Sequence, residues 1–425
     1  MSKLEYTPTT RAVRAAIATD KEHGAVVPPL HLSSTFSFEG FARPRRYDYT
    51  RSGNPTRTNL ADAIADLEGG AAGVVTSTGM SAVTLVLQLL RPGDTIVAAH
   101  DCYGGTQRLL RALAAKAHFT LVFADLTSVE APLEIARHAP RLVWIETPSN
   151  PLLRITDLRT VIQAAHAAGA LAVVDNTFLS PALQQPVRFD ADVVVHSTTK
   201  YLNGHSDVVG GAVVTRDKSL GQELAWWANC LGITGAPFDS YLTLRGIRTL
   251  HARLTQHLAS TREVVAALEG HEAVSRIYYP GLLTHPGHAI AASQQAGFGA
   301  MVSFEIRGGT AAVETLAANL ELFTLAESLG GVESLIAHPA TMTHASMDAA
   351  ARASAGISDS LVRVSVGIES GEDLARDLVR ALDVVAIEHS CHPEGAQRPK
   401  DPDRCGESSP RRPRGPSPSL RSGRG

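Results

Sequence analysis

Cysteine is scarce in this chain and unpatterned. The four present, Cys102, Cys230, Cys391 and Cys405, show no C-x-x-C spacing, which argues against a disulfide framework and a zinc site and suits a reducing compartment. A hydrophobic run long enough to cross a bilayer is also missing, since the longest strongly apolar stretch, around Ala82 to Leu90, is far too short. The N-terminus carries Lys3, Glu5, Arg11 and Arg14 without the apolar core of an export signal, so a cytoplasmic setting is expected. Neither sign of charge dominates. The formal net charge of −3 gives no reason to invoke nucleic acid or an anionic membrane as a partner. No G-x-G-x-x-G follows a strand-like run, which disfavours a nicotinamide dehydrogenase. His338 and His344, in AHPATMTH, have no carboxylate or cysteine at ligand spacing, so no metal is expected. There is no internal repeat.

With 44% hydrophobic and 19% charged residues, the 425-residue chain has the composition of a globular protein large enough for more than one core. Residues 1–61, rich in Pro, Ser, Thr and Arg, lack a sustained helical pattern and predict an extended arm that packs on something else. Over residues 62–256, strand-like runs (Thr95–Ala99, Phe119–Phe123, Leu142–Ile145, Leu171–Val174 and Val193–Val195) alternate with helical segments. That alternation predicts an α/β fold with a doubly wound, mostly parallel sheet. Residues 257–388 open on a long helical stretch, continue through strands near Ala300–Ile306 and Leu361–Val366, and close on a helix over Gly371–Ala386. They predict a smaller C-terminal α/β domain. Residues 389–425 hold seven prolines, eight Lys or Arg, four Asp or Glu and no aromatic side chain. Such a composition predicts a disordered tail, a solvated extension in preference to a basic docking segment.

The most informative stretch is Ala191–Asp207, ADVVVHSTTKYLNGHSD. A buried-strand run ends there in Ser197, Thr198 and Thr199, and the next residue is Lys200. An isolated strand-end lysine ordinarily snorkels to solvent. At the end of a core strand it costs desolvation energy unless its charge is neutralised, and covalent attachment to an aldehyde cofactor does that. Upstream, LAVVDNTF places a carboxylate, Asp175, at the end of another apolar run. A lysine for the aldehyde and a carboxylate that keeps a pyridine nitrogen protonated are what a pyridoxal 5′-phosphate site needs. In an open α/β sheet the carboxyl ends of adjacent strands share one edge, so both side chains can meet one ligand. For the phosphate, TSTGMSA (Thr76–Ala82) opens a predicted helix running to Leu90. Its backbone N–H groups, brought close by Gly79, suit an anion, although the same pattern more often serves only as a cap. Ser197 and Thr199 add hydroxyls, Arg51 in DYTRSGNPT a guanidinium, and Tyr103 in HDCYGGTQR a ring to stack on the pyridine face.

Together with VVPPLHLSSTF, ETPSNPLLRITD, ELAWWAN, ESLGGVESLIAHPATMTH and VRVSVGIE, these segments are similar, across residues 15–388, to the pyridoxal-phosphate enzymes of cysteine and methionine metabolism, the family of the trans-sulfuration enzymes. The resemblance implies a fold type I enzyme with pyridoxal 5′-phosphate as cofactor and small amino acids as substrates. It implies a homotetramer of tight dimers, in which the arm bearing Tyr49 and Arg51 completes the neighbouring subunit's phosphate site. Lys200 would carry the cofactor and move the substrate's Cα proton, Asp175 would face the pyridine nitrogen, and Tyr103 would stack on the ring and assist proton transfer. Gly79, Met80, Ser197, Thr199, Tyr49 and Arg51 fall at phosphate positions. Arg363, which alone reads as a strand-end surface arginine, falls at the substrate α-carboxylate, assisted by Asn150 and Ser328. Asp48, Arg108 and Glu327 match positions facing the substrate's far end. Gly105, two residues after Tyr103, stands where methionine γ-lyases typically carry cysteine and argues against that branch. WWAN at Trp226–Asn229 and GHSDVV at Gly204–Val209 resemble the branch that performs γ-replacement. The implied reaction joins O-succinyl-L-homoserine and L-cysteine into L-cystathionine. Two alternatives stay open. One is γ-elimination of L-cystathionine to cysteine, 2-oxobutanoate and ammonia, which uses most of the same residues. The other is a noncatalytic member of the fold, which the intact Lys200, Asp175, Tyr103 and Arg363 disfavour.

Overall fold

The computed structural model describes residues 6–343, 345, 352 and 355–391, with 389–391 described by backbone alone. Seven strands form the first sheet: β1 (Ala72–Thr76), β2 (Thr95–Ala99), β3 (Thr120–Ala124), β4 (Leu142–Glu146), β5 (Leu171–Asp175), β6 (Val193–Ser197) and β7 (Gly211–Thr215). Their spatial order is β1-β7-β6-β5-β4-β2-β3, and β7 alone runs against the others. The Val- and Ile-rich central strands are buried almost end to end, as a parallel sheet covered on both faces requires. The expected doubly wound architecture is therefore present. Two strands of this sheet escaped the sequence reading, since AGVVT and GAVVT hold few apolar residues beside their glycines and no local pattern marks a reversal of direction.

Helices α1 (Pro8–Val13), α2 (Pro55–Glu68), α3 (Gly79–Val86), α4 (Gly104–Ala115), α5 (Ala131–His138), α6 (Leu158–Ala167), α7 (Ser180–Leu183), α8 (Lys218–Leu231) and α9 (Pro237–Ile247) belong to this part of the chain. α2 begins inside the stretch read as arm. Asn54 accepts hydrogen bonds from the N–H groups of Thr56 and Arg57, and Pro55 occupies the first helical position, where its missing N–H is harmless. Leu60, Ile64 and Leu67 of α2 are then buried in the main core with Trp144, Val173 and Val194. Before α2, α1 is anchored through Ala12 in the main core and through Arg11 to Asp66, whereas Leu32, Phe38, Phe41 and Tyr49 of the following stretch are exposed.

α10 (Leu250–Leu268) leads into a second sheet of β8 (Val274–Tyr278), β9 (Met301–Ile306), β10 (Thr324–Leu325), β11 (Leu335–Ala337) and β12 (Leu361–Ser365), in the order β10-β11-β12-β9-β8. α11 (His288–Gln294), α12 (Gly309–Asn319) and α13 (Gly371–Cys391) complete it. A second core, with Phe304, Leu316, Val364 and Leu378, lies between this sheet and α10, α12 and α13. Met301 and Leu329 instead join the first core, so the two halves are packed together. No helix among the described residues is long and apolar enough to cross a membrane. Cys102 is buried and free, Cys230 exposed and free. The Cys391 side chain, Cys405, His344 and residues 392–425 of the expected tail lie outside the described residues.

Candidate active site

The carboxyl ends of β4, β5 and β6 share one edge of the first sheet, as parallel strands must, and a cavity of about 390 Å³ opens over them. Lys200, Asp175, Tyr103, Gly79 and Met80 line it together with Ser197 and Thr199. Ser328, Glu327 and Arg363 line the same cavity from the side of the second sheet, and Asn150 from the loop after β4. Eleven positions scattered from Gly79 to Arg363 thus converge on one space. Asp48, Tyr49, Arg51 and Arg108 do not reach it within one chain. All four are exposed, and Arg51 donates through Nε to Asn229 Oδ1 at 3.1 Å, with its guanidinium 5.5 Å from the Tyr49 ring centre.

Lys200 follows the turn after β6, and its Nζ donates to Ser328 Oγ at 2.7 Å. Burial, reinforced by the nearby Arg363 charge and opposed by Glu327, lowers its pKa to about 8. Ser328 has φ of +92°, an unusual conformation for a non-glycine residue, and the strained turn presents both its hydroxyl and its carbonyl to the site. Arg363, on β12, is only 3% exposed. It donates through Nη1 to Asn150 Oδ1 at 2.8 Å and through Nη2 to Ser328 O at 3.0 Å, both neutral acceptors, while its Nε is buried without a partner. Burial lowers its pKa to about 10. A buried guanidinium satisfied only by neutral groups is a receptor waiting for an anion, and its planar fork suits a carboxylate.

The opposite wall has the features a phosphorylated pyridine needs. Thr78 caps α3, its Oγ1 accepting the Ser81 N–H at 2.9 Å. A Cβ on Gly79 would stand 2.8 Å from Ser197 Cβ and 2.9 Å from its Oγ, so only glycine lets the first turn of α3 come this close to β6. Asp175, at the end of β5, accepts the Thr177 N–H at 3.0 Å. Burial raises its pKa, and the Thr177 hydrogen bonds work in the other direction. Behind it, Asn176 donates to Glu68 Oε1 at 2.8 Å, and His196 Nε2 lies 2.7 Å from the same oxygen, so one buried carboxylate on α2 ties the ends of β5 and β6 together. Tyr103, at the N-terminus of α4, is 45% exposed and lines the cavity. Its backbone N–H donates to Glu146 Oε2 at 2.7 Å.

Glu146 was not among the residues singled out from the sequence. The signal was available: LVWIE ends a strand in a carboxylate as LAVVD does. His338 is no ligand, since its two ring nitrogens face Thr341 Oγ1 and Asp359 O at 2.9 and 3.1 Å.

A strand-end lysine with a lowered pKa, a carboxylate on the adjacent strand, a ring beside them and a helix N-terminus for an anion define the class: an enzyme that works through pyridoxal 5′-phosphate. Comparison with known proteins places it further. The family model described as Cys/Met metabolism PLP-dependent enzyme matches residues 9–383. Cystathionine γ-synthase of Escherichia coli (strain K12) is 53% identical over 370 residues, 87% of this chain and 96% of that protein. Cystathionine γ-lyase of Bacillus subtilis (strain 168) is 46% identical over 374 residues, 88% of this chain and 98% of that protein. The crystal structure of cystathionine γ-synthase from Xanthomonas oryzae pv. oryzae in complex with cystathionine superposes with a TM-score of 0.89 at 63% identity, covering 90% of this chain and 99% of that one. The chain belongs to the Cys/Met metabolism family of PLP-dependent enzymes.

Proposed function

We propose that this enzyme forms L-cystathionine by γ-replacement, bonding the sulfur of intact L-cysteine to Cγ of O-succinyl-L-homoserine in place of the ester oxygen, with release of succinate. The carrying observation is the Lys200–Ser328–Arg363 arrangement: a buried, unpaired guanidinium is linked through one serine to an amine of lowered pKa. An α-amino acid with its carboxylate on Arg363 presents its Cα to Lys200. The 63% identity to a synthase crystallised with cystathionine supports replacement as the outcome over elimination.

Bound pyridoxal 5′-phosphate supplies the electron sink that makes the Cα and then the Cβ protons acidic. Lys200 holds the cofactor and, once its amine is free, takes the Cα proton, which a pKa of about 8 suits. Asp175 would face the pyridine nitrogen, and Tyr103 would stack on the ring and assist proton transfer. Gly79, Met80, Ser197 and Thr199 would hold the phosphate. Asn150 and Ser328 orient Arg363 on the α-carboxylate, and Glu327 lies toward the substrate's far end.

Tyr49 and Arg51 complete the phosphate site, and Asp48 and Arg108 the distal substrate site, in a homotetramer of tight dimers. Residues 1–61 act as an arm across the dimer, 62–256 as the cofactor domain, 257–388 as the C-terminal domain and 389–425 as a solvated tail. The exposed apolar side chains of the arm support this, since a monomer rarely leaves such a cluster uncovered. The setting is cytoplasmic.

The deciding experiment incubates the purified enzyme and pyridoxal 5′-phosphate with O-succinyl-L-homoserine, with and without L-cysteine, and in parallel with L-cystathionine, and analyses products by mass spectrometry. Cystathionine formation with little cleavage is expected. Predominant cleavage to cysteine and 2-oxobutanoate would make the enzyme a γ-lyase.

A further inference from the structure

Glu146 lines the cavity and has no part in the reaction as proposed. It is 5% exposed and ends β4 in register with Asp175 at the end of β5, so two carboxyl groups stand side by side on one face of a parallel strand pair. Asp101, on the turn into α4, is a further acidic neighbour, and the Cys102 thiol beside it is held protonated by burial first of all. Glu146 accepts one hydrogen bond, the 2.7 Å contact from the Tyr103 N–H. Of two adjacent carboxyls, the one more fully out of water is the costlier to ionise, and Glu146 is buried whereas Asp175 is partly exposed to the cavity. The surroundings decide between them. Asp175 is favoured as the anion by the Thr177 N–H and hydroxyl and by the neighbouring His196, whereas Glu146 has a single N–H and two acidic neighbours. Burial first, then Asp175, pushes the Glu146 carboxyl well above the usual range.

We propose that Glu146 is a positioning residue kept as a neutral carboxylic acid, which fixes the backbone of Tyr103, and so the ring, while leaving Asp175 as the ionised carboxyl of the pair. The proposal rests on the pyridoxal-phosphate reading of the cavity. It assigns Glu146 no contact with substrate.

The test compares the wild-type holoenzyme with Glu146→Gln and Glu146→Leu. Glutamine keeps the shape and the acceptor without a charge, so E146Q is expected to hold pyridoxal 5′-phosphate and to titrate its absorption band as the wild type does, within about twofold in affinity. Leucine leaves the partly buried Tyr103 N–H without its acceptor, and E146L is expected to lose roughly 5- to 100-fold in cofactor affinity. Infrared difference spectra, wild type minus E146Q at neutral pH, are expected to show the carbonyl stretch of a protonated carboxylic acid. An E146Q protein as weak as E146L, an E146L protein indistinguishable from wild type, or carboxylate bands in place of the acid band would each overturn the proposal. The infrared result and E146Q decide the matter even where E146L does not fold. A wild-type protein that takes up no cofactor would defeat the cofactor reading instead, while the infrared bands would still report the state of Glu146.

Discussion

Lys200 shows how one residue's surroundings set its chemistry. An ordinary lysine amine is protonated up to about its usual 10.5, but here desolvation and the Arg363 charge disfavour the ammonium form, and the pKa falls to about 8. A lowered lysine pKa means the neutral, nucleophilic amine dominates from lower pH upward. The rate at which apoprotein takes up pyridoxal 5′-phosphate, followed by absorbance, should therefore rise with pH and level off above about 8. A rise that continues toward 10.5 would show a solvated lysine. Lys200 and Asp175 were legible in the sequence because a charged residue ending an apolar strand is costly without a partner. Arg363 was legible only through its motif, since the expected strand-end surface arginine is in fact the central residue of β12 and 3% exposed, a difference no local pattern marks.

At the scale of elements, the phosphate wall depends on how closely α3 approaches β6. Gly79→Ala would place a methyl group 2.8 Å from Ser197 Cβ and 3.1 Å from its Cα, and a backbone atom cannot swing aside as a long side chain does. The helix must shift, at a cost of about 1–3 kcal/mol for overpacking of this kind. Cofactor affinity, measured by equilibrium dialysis, should fall by roughly tenfold while the fold persists; unchanged affinity would mean the first turn of α3 does not hold the phosphate. The strands bearing Asp175 and Ser197 could be recognised from their β-branched runs to within two residues. The reversed β7 and the early start of α2 could not, because strand direction and the anchoring of Leu60 and Ile64 depend on partners far along the chain.

For the whole molecule, the proposed sharing of sites across a dimer has a direct consequence. Lys200→Ala and Arg51→Ala disable different parts of one site, and in the proposed arrangement those parts come from different subunits. Each variant alone should be severely impaired, with loss of the Lys200 proton transfer costing roughly 100- to 10,000-fold. A hybrid dimer of the two concentrates both defects in one site and leaves the other intact. Refolding an equal mixture should thus restore about a quarter of wild-type activity per site, as random pairing of a two-fold dimer predicts. No recovery above the separate variants would place Arg51 in the service of its own chain.

The sequence by itself determined the chemistry-bearing parts: a parallel α/β sheet from alternating short apolar runs, and a lysine and a carboxylate at strand ends where only a ligand makes their presence affordable. These are local facts, written in periodicity and in the desolvation cost of single charges. Only the tertiary structure decided that Glu146 stands beside Asp175, that Arg363 is buried against Asn150 and Ser328, and that Asp48, Tyr49, Arg51 and Arg108 face outward from their own chain. Strand order, register and burial arise from contacts between residues tens to hundreds of positions apart, and those contacts carry no signature in any one segment.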